Sequence, residues 1–345
     1  MSLNHQTPEF IESDNPGREI NYPQGVTEII FGQFGFQAPE AGHAEEFIST
    51  SRRYFALENG PARVERCHGV SSGVHEDILI AYWLSRESYE NWLASSNFPE
   101  WWESLSPDGP FGYWREIVSP DIGRVGGVYF GLASDRHVGL TSLLGAPPTQ
   151  RWGYWGGYRD RMRASQQDSF EPELGVEPLP RRRPNTLGRR VIVDAPNNIL
   201  LVREGQESTY VTGAIERKSW DTEVKPALAK WIKYLAENPE LSGALVVREV
   251  AELELETGES TEKLSQLIYF QSLRHLERAA RTQPSHVALY NSYMKMLGEV
   301  GAAGETAQLV VWVDQFLVQT GRMLAEYINC DPQLGLLPWF DAVDS

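Results

Sequence analysis

Two distant stretches of this 345-residue chain share one layout. ILIAYWLSRESYENWLASSNFPEWWESL, starting at Ile78, and QLIYFQSLRHLERAARTQPSHVALYNSY, starting at Gln266, each run from a strand through a serine into an amphipathic helix. A break with proline and a second helix follow in both. Tyr82 matches Tyr269, Ser85 matches Ser272, and Pro99 matches Pro284 after a two-residue deletion. Each copy is preceded by a further strand and a longer helix. The order predicts an α+β fold made of two β-α-β-β-α-β units, whose sheets face each other or close into a barrel. The pseudo-repeats span about 26–160 and 190–335 of a single domain (26–345), behind an N-terminal arm (1–25).

Within that frame, residues 27–37 read as a strand, 44–57 as a helix and 77–84 as a second strand, followed by a helix around Ser88–Ala94 and the strand GYWREIV. The segment 163–190 has no period, is rich in proline and carries five arginines after Phe170, so a long loop is expected there. RVIVDAPNNILLVREGQ predicts a hairpin turning at Pro196-Asn197-Asn198. A helix through Thr222–Glu237, strands at 243–253 and 265–272, helices at 273–281 and near Val287–Leu297, and a strand at 307–318 complete the reading.

The formal net charge of -16 argues against nucleic acid or an anionic membrane as partner. No run approaches the roughly 20 apolar residues of a membrane span. The polar, acidic start lacks a signal-peptide layout, and only Cys67 and Cys330 occur, so no disulfide scaffold or four-thiolate site is expected and a cytoplasmic location is. Eleven tryptophans, 14 tyrosines and 13 phenylalanines supply large apolar area, for a core first and a pocket second.

Seven histidines stand at 5, 43, 68, 75, 137, 275 and 286. His5 and His43 lie in polar stretches and read as solvated; His275, on an Arg/Glu-rich helix, reads as exposed. Cys67-His68 with His75 has a loose metal-like spacing of the kind that arises by chance. His286 is different, because the echo sets it against Trp101: an imidazole has replaced an aromatic ring before a helix. The segment RWGYWGGYRDRMRASQQD (151–168) combines glycines for close approach with arginines that grip acidic groups. No G-x-G-x-x-G after a strand, Walker A, G-x-S-x-G or H-E-x-x-H motif occurs, which excludes the common nucleotide-binding, hydrolase and zinc-protease readings.

GYWGGYRDR (153–161), SQQD (165–168), NILLVREGQE (198–207), ERKSW (216–220), QPSH (283–286) and AEYINCDPQLG (325–335) together resemble the aldoxime dehydratases, a family of haem-containing lyases. The resemblance runs in order from about residue 27 to the end. It implies a dimeric α+β barrel of two ferredoxin-like halves with flanking helices, and one haem b per chain with its iron on His286. Arg161, Trp155 and Tyr290 are expected to contact the cofactor. The reaction implied is cleavage of the N–O bond of a small organic oxime at ferrous haem, Fe(II), giving a nitrile and water. The substrate class is a small molecule with an N–O or C=N–X group, and the assembly a homodimer.

The same resemblance shows departures. The family's distal serine falls on Lys218, with Ser219 one place later; its acid–base histidine falls on Val313, beside Asp314; a glutamate falls on Gly126; the arginine is kept as Arg161. Lys218, with a pKa lowered by burial, Ser219, Arg161 and Asp314 are therefore the candidate catalytic residues. Strand alternation sets Asp314 opposite in direction to Val313. The alternatives are other nitrogen chemistry on the same scaffold (N–N bond formation or oxidative or nitrene-type transfer) and a non-catalytic haem binder.

Overall fold

The computed structural model describes residues 17–71, 73–131, 138–149, 151 and 156–345. The first part contains β1 (Arg18–Glu19), β2 (Ile30–Ala38), α1 (Glu45–Phe55), β3 (Arg63–Ser71), β4 (Val74–Trp83), α2 (Arg86–Ser95), α3 (Phe98–Glu103), β5 (Gly112–Val118) and β6 (Val125–Phe130). Short helices α4 (Thr141–Leu144) and α5 (Gly157–Arg161) and strand β7 (Arg190–Val193) lead into the second. That part holds β8 (Ile199–Glu207), α6 (Ala214–Ser219), α7 (Lys225–Glu237), α8 (Pro239–Ser242), β9 (Ala244–Leu253) and β10 (Ser260–Phe270). It ends with α9 (Leu273–Thr282), α10 (Pro284–Ala302), β11 (Val310–Val318), β12 (Met323–Ile328) and β13 (Ala342–Asp344).

The described strands form one antiparallel sheet in the order β1-β6-β11-β8-β10-β9-β3-β4-β2-β5-β12-β7-β13. The runs β5-β2-β4-β3 and β11-β8-β10-β9 have the same order relative to the chain, and they meet where β3 pairs with β9, from Arg66↔Leu253 to Gly69↔Val250. Each run carries a matching device. Gly35 lies opposite Trp114 and Gly205 opposite Trp312. A Cβ at either glycine would sit 2.0 or 2.1 Å from the indole, so only glycine lets the ring lie across the strand. Ser85 and Ser272 stand at the N-caps of α2 and α9 in equivalent places.

The sheet is curled. Phe31 on β2 and Phe316 on β11 have ring centroids 4.8 Å apart although β8, β10, β9, β3 and β4 lie between their strands. A flat sheet would hold them more than about 25 Å apart. The concave side buries Ile80, Tyr82, Leu267 and Tyr269 with these rings. Helices α1, α2 and α3 cover the convex side of the first run over Phe34, Trp83, Trp92, Phe98 and Trp102. Helices α7, α9 and α10 cover the second over Val202, Trp231 and Leu276. Most of the tryptophan content is thus core.

Two expectations are corrected, and one strand escaped the sequence reading. Strands β7 and β8 do not form a hairpin: β7 pairs with β12 and β13, and β8 with β10 and β11, so the Pro196–Asn198 turn redirects the chain between distant parts of the sheet. The helix expected from Thr222 begins at Ala214 and passes through a π-helical turn, Trp220–Val224, before α7. Pro226 has no N–H to bond back to the preceding turn, and the wider turn absorbs that loss. Strand β3 was hidden by Arg63, Glu65, Arg66 and His68, which a pattern reading assigns to solvent. Its Glu65 is instead buried against Arg203, whose other amino group reaches Glu252 at 2.6 Å. Residues 1–16 of the proposed arm lie outside the described residues, and Arg18–Glu19 pair with β6. No helix among the described residues is long and apolar enough to cross a membrane.

Candidate functional site

In the first run the layer between helices and sheet is filled with aromatic rings: Trp101 of α3 packs against Phe47, Tyr54 and Phe98. In the second run that layer opens into a cavity of about 360 Å³. One wall is the sheet, through Val128 of β6, Glu204 and Gln206 of β8, and Val311 and Val313 of β11. The facing wall is helical, with Trp220 and Val224 of the π turn, Leu228 of α7, and His286, Leu289 and Tyr290 of α10. Tyr158 and Arg161 of α5 also line it.

His286 stands in the first turn of α10, two residues after Pro284, which starts the helix without needing a partner for an N–H. Its ring makes a T-shaped contact with Trp231 of α7, 4.8 Å between centroids. Burial pushes its pKa down to about 4, against a smaller upward pull from the Ala280 carbonyl. The imidazole is therefore neutral at physiological pH, the form that ligates a metal. His286 and Tyr290 are four apart, so both face the cavity from one side of the helix.

Arg161 lies in the wall, almost fully buried, with Nη1 donating to the Arg151 carbonyl at 3.0 Å and its guanidinium 5.0 Å from the Tyr158 ring centroid. Trp155 lies outside the described residues. The other three candidates are not brought to the cavity. Lys218 is exposed on α6 and does not line the cavity. Ser219 is buried but donates to Glu299 Oε2 at 3.0 Å, tying α6 to α10. Asp314 points to the concave side, where its Oδ2 accepts from the Leu140 N–H at 3.0 Å and the Tyr82 hydroxyl at 3.4 Å. Strand alternation sends Val313 into the cavity and Asp314 away from it. At Gly126 a Cβ would meet the amide of Gln315, which fills that space.

Burial raises the Asp314 pKa from 3.8 to about 7, against the pull of Arg203. The folded protein thus keeps a proton that the unfolded chain releases near pH 4. The stability this contributes is complete below that pH and lost as pH rises through about 7. Asp314→Asn removes the titration. Its apoprotein should lose roughly 4 kcal/mol less stability than the wild type between pH 4 and 8 in urea denaturation; equal losses would contradict the assignment.

Other expectations also change. His275 is not exposed: it is buried, with Nδ1 2.9 Å from Ser272 Oγ and Nε2 3.3 Å from the Val176 carbonyl, anchoring the long loop. His68 and His75 stack with centroids 5.4 Å apart, but among the described residues no group of three or more His, Cys, Asp or Glu could hold a metal ion. His5 and His137 lie outside the described residues. Two of the quoted sequence blocks are structural. Glu216 of ERKSW accepts the backbone N–H groups of Gln308 and Leu309 ahead of β11. Glu326 of EYINC joins Trp102, Arg115 and Arg190 far from the cavity. Glu204 was overlooked. In LVREGQ, alternation places Val202, Glu204 and Gln206 on one face, and that signal was available.

The haem-containing dehydratase family model matches residues 32–336. Phenylacetaldoxime dehydratase of Bacillus sp. (strain OxB-1) is 30% identical over 342 residues, covering 96% of this chain and 95% of that enzyme. Aliphatic aldoxime dehydratase of Pseudomonas chlororaphis is 26% identical over 341 residues, covering 97% and 94%. A crystal structure of aldoxime dehydratase superposes with a TM-score of 0.84 at 25% identity, covering 99% of this chain and 95% of that one. Sequence and fold agree over nearly the whole length, and the chain belongs to the haem-containing dehydratases, the lyase family of the aldoxime dehydratases.

Proposed function

We propose that this enzyme carries haem b on His286 and, in its Fe(II) form, dehydrates a small organic aldoxime to a nitrile and water. The observation that carries the reading is His286 itself, a neutral imidazole on the helical wall of a largely apolar cavity. The donor set fits the cofactor: one imidazole suffices as a proximal haem ligand, and both thiols are buried elsewhere. When bound, haem supplies an electron-rich iron to the oxime nitrogen.

The chain's own residues divide the remaining work. His286 would hold the metal, and its T-shaped contact with Trp231 fixes the imidazole's direction. Arg161 presents a buried cation to an acidic group of the cofactor, and Tyr290 lies one helical turn from the ligand. Val128, Leu289, Val311 and Val313 exclude water and accept the substrate's organic group. The departing hydroxyl needs a proton and the carbon-bound proton needs a base. The equal strand orders of the two runs support two ferredoxin-like pseudo-repeats joined by the 163–190 loop. The homodimer and the cytoplasmic location rest on the family and on the composition.

A second reading, other nitrogen chemistry on this scaffold, is favoured by Val313, an apolar side chain in the sheet wall. Anaerobic incubation of the reduced holoenzyme with alkyl and aryl aldoximes separates the two. Nitrile from either class is expected, and none from both would overturn dehydration.

A further inference from the structure

We propose that Glu204 is the group that gives a proton to, and takes one from, the substrate in this cavity. The inference rests on the dehydration reading and adds a residue to it. Glu204 projects from the middle of β8 into the sheet wall, facing the wall that carries His286. Its cross-strand neighbours are Val313 on β11 and Gln266 on β10. Valine offers no proton. The Gln266 amide is already committed to Gln206, in bonds of 3.0 and 3.3 Å. Glu204 Oε1 is buried with no hydrogen-bond partner among the described residues. By contrast, the buried carboxylates Glu65, Glu116, Glu252 and Glu326 are each held by arginine. A buried carboxyl without a cation, aimed into an apolar cavity, is expensive for the fold and suited to proton transfer.

Desolvation alone raises the Glu204 pKa to about 7, so both protonation states are accessible at neutral pH. The groups that share the cavity do not compete for this role. Arg161 stays charged. Glu277 is paired with Arg159 at 2.9 Å. Burial raises Tyr158 and Tyr293 far above neutrality. His286 is reserved for iron.

The step balances without an outside oxidant or reductant. The carboxyl of Glu204 donates its proton to the oxime oxygen as the N–O bond breaks, and water leaves. The resulting carboxylate removes the carbon-bound proton while the C–H electron pair completes the C≡N bond. Glu204 ends protonated as it began, and R–CH=N–OH has become R–C≡N and H₂O.

The test compares wild type with Glu204→Gln, which keeps the shape and loses the proton. Infrared difference spectra between pH 6 and 9, taken on the apoprotein, should show a protonated-carboxyl band that titrates in wild type and weakens by one carboxyl in the variant. In the holoenzymes, kcat for a butyl or phenylacetyl aldoxime should fall at least about 100-fold, with haem content and Soret band unchanged. Glu204→Asp should retain intermediate activity and the band. Undiminished dehydration by Glu204→Gln, or an unaltered infrared titration, overturns the role of Glu204 and leaves the dehydratase reading intact. Absence of nitrile from wild type overturns both.

Discussion

Replacing His286 by alanine is expected to strip the protein of haem and cut turnover by at least about 100-fold. Tyr290 and Met294 share the helix wall, but a phenol and a thioether are poor substitutes for a neutral imidazole. His286 is only partly buried and packs its ring against Trp231 at the cavity wall, so the variant should fold with unchanged far-ultraviolet circular dichroism. His286→Gly should recover much of the Soret absorbance when imidazole is added, because the freed space beside Trp231 admits the ring. Haem content per chain, measured after expression with added porphyrin precursor, checks the outcome. Equimolar haem in the alanine variant would remove His286 from the account.

The second large effect is on stability. Arg203 is wholly buried on the concave side, one residue from Glu204, and its fork binds Glu65, Glu252 and the Tyr82 hydroxyl. These partners come from β3, β9 and β4, so the guanidinium ties the two runs together beyond their short β3–β9 seam. Arg203→Met leaves Glu252 buried without its cation and Glu65 with Arg63 alone, and should cost about 3–5 kcal/mol in urea denaturation at pH 7.5. Unpaired carboxyls take up protons in the folded state, so their pKa values rise. The deficit should therefore shrink as pH falls toward 5 and grow as it rises. A loss below about 1 kcal/mol, or one independent of pH, would show that the network is not what joins the runs. Lysine at this position should not restore stability, because a single ammonium cannot span both acids as the planar fork does.

These two arginine-anchored and histidine-bearing faces of the same region show how far sequence reading reaches. His286 was legible because the echo set it against Trp101, and in space the aromatic packing around Trp101 corresponds to the open cavity around His286. The helix-covered sheet was legible from the apolar periods of β2, β4, β10 and α9. The buried charges were not. Patterning treats Glu65, Arg203 and Glu204 alike as solvent-facing, whereas the first two are paired inside the curl and the third lines a cavity. Lys218 and Ser219 fell away from the site because helix α6 starts earlier than its apolar spacing suggests and turns them toward solvent and Glu299. His275 was assigned to solvent because the loop carbonyl that covers it, at Val176, is about a hundred residues distant in sequence.

The most direct test is the iron–nitrogen stretch in the resonance Raman spectrum of the reduced holoprotein, recorded with and without ¹⁵N-histidine. If a single imidazole reaches the iron from the helical wall, wild type shows one isotope-sensitive band, and His286→Ala reconstituted with haem shows none. The same band persisting in the alanine variant would place the iron on another histidine and contradict the account.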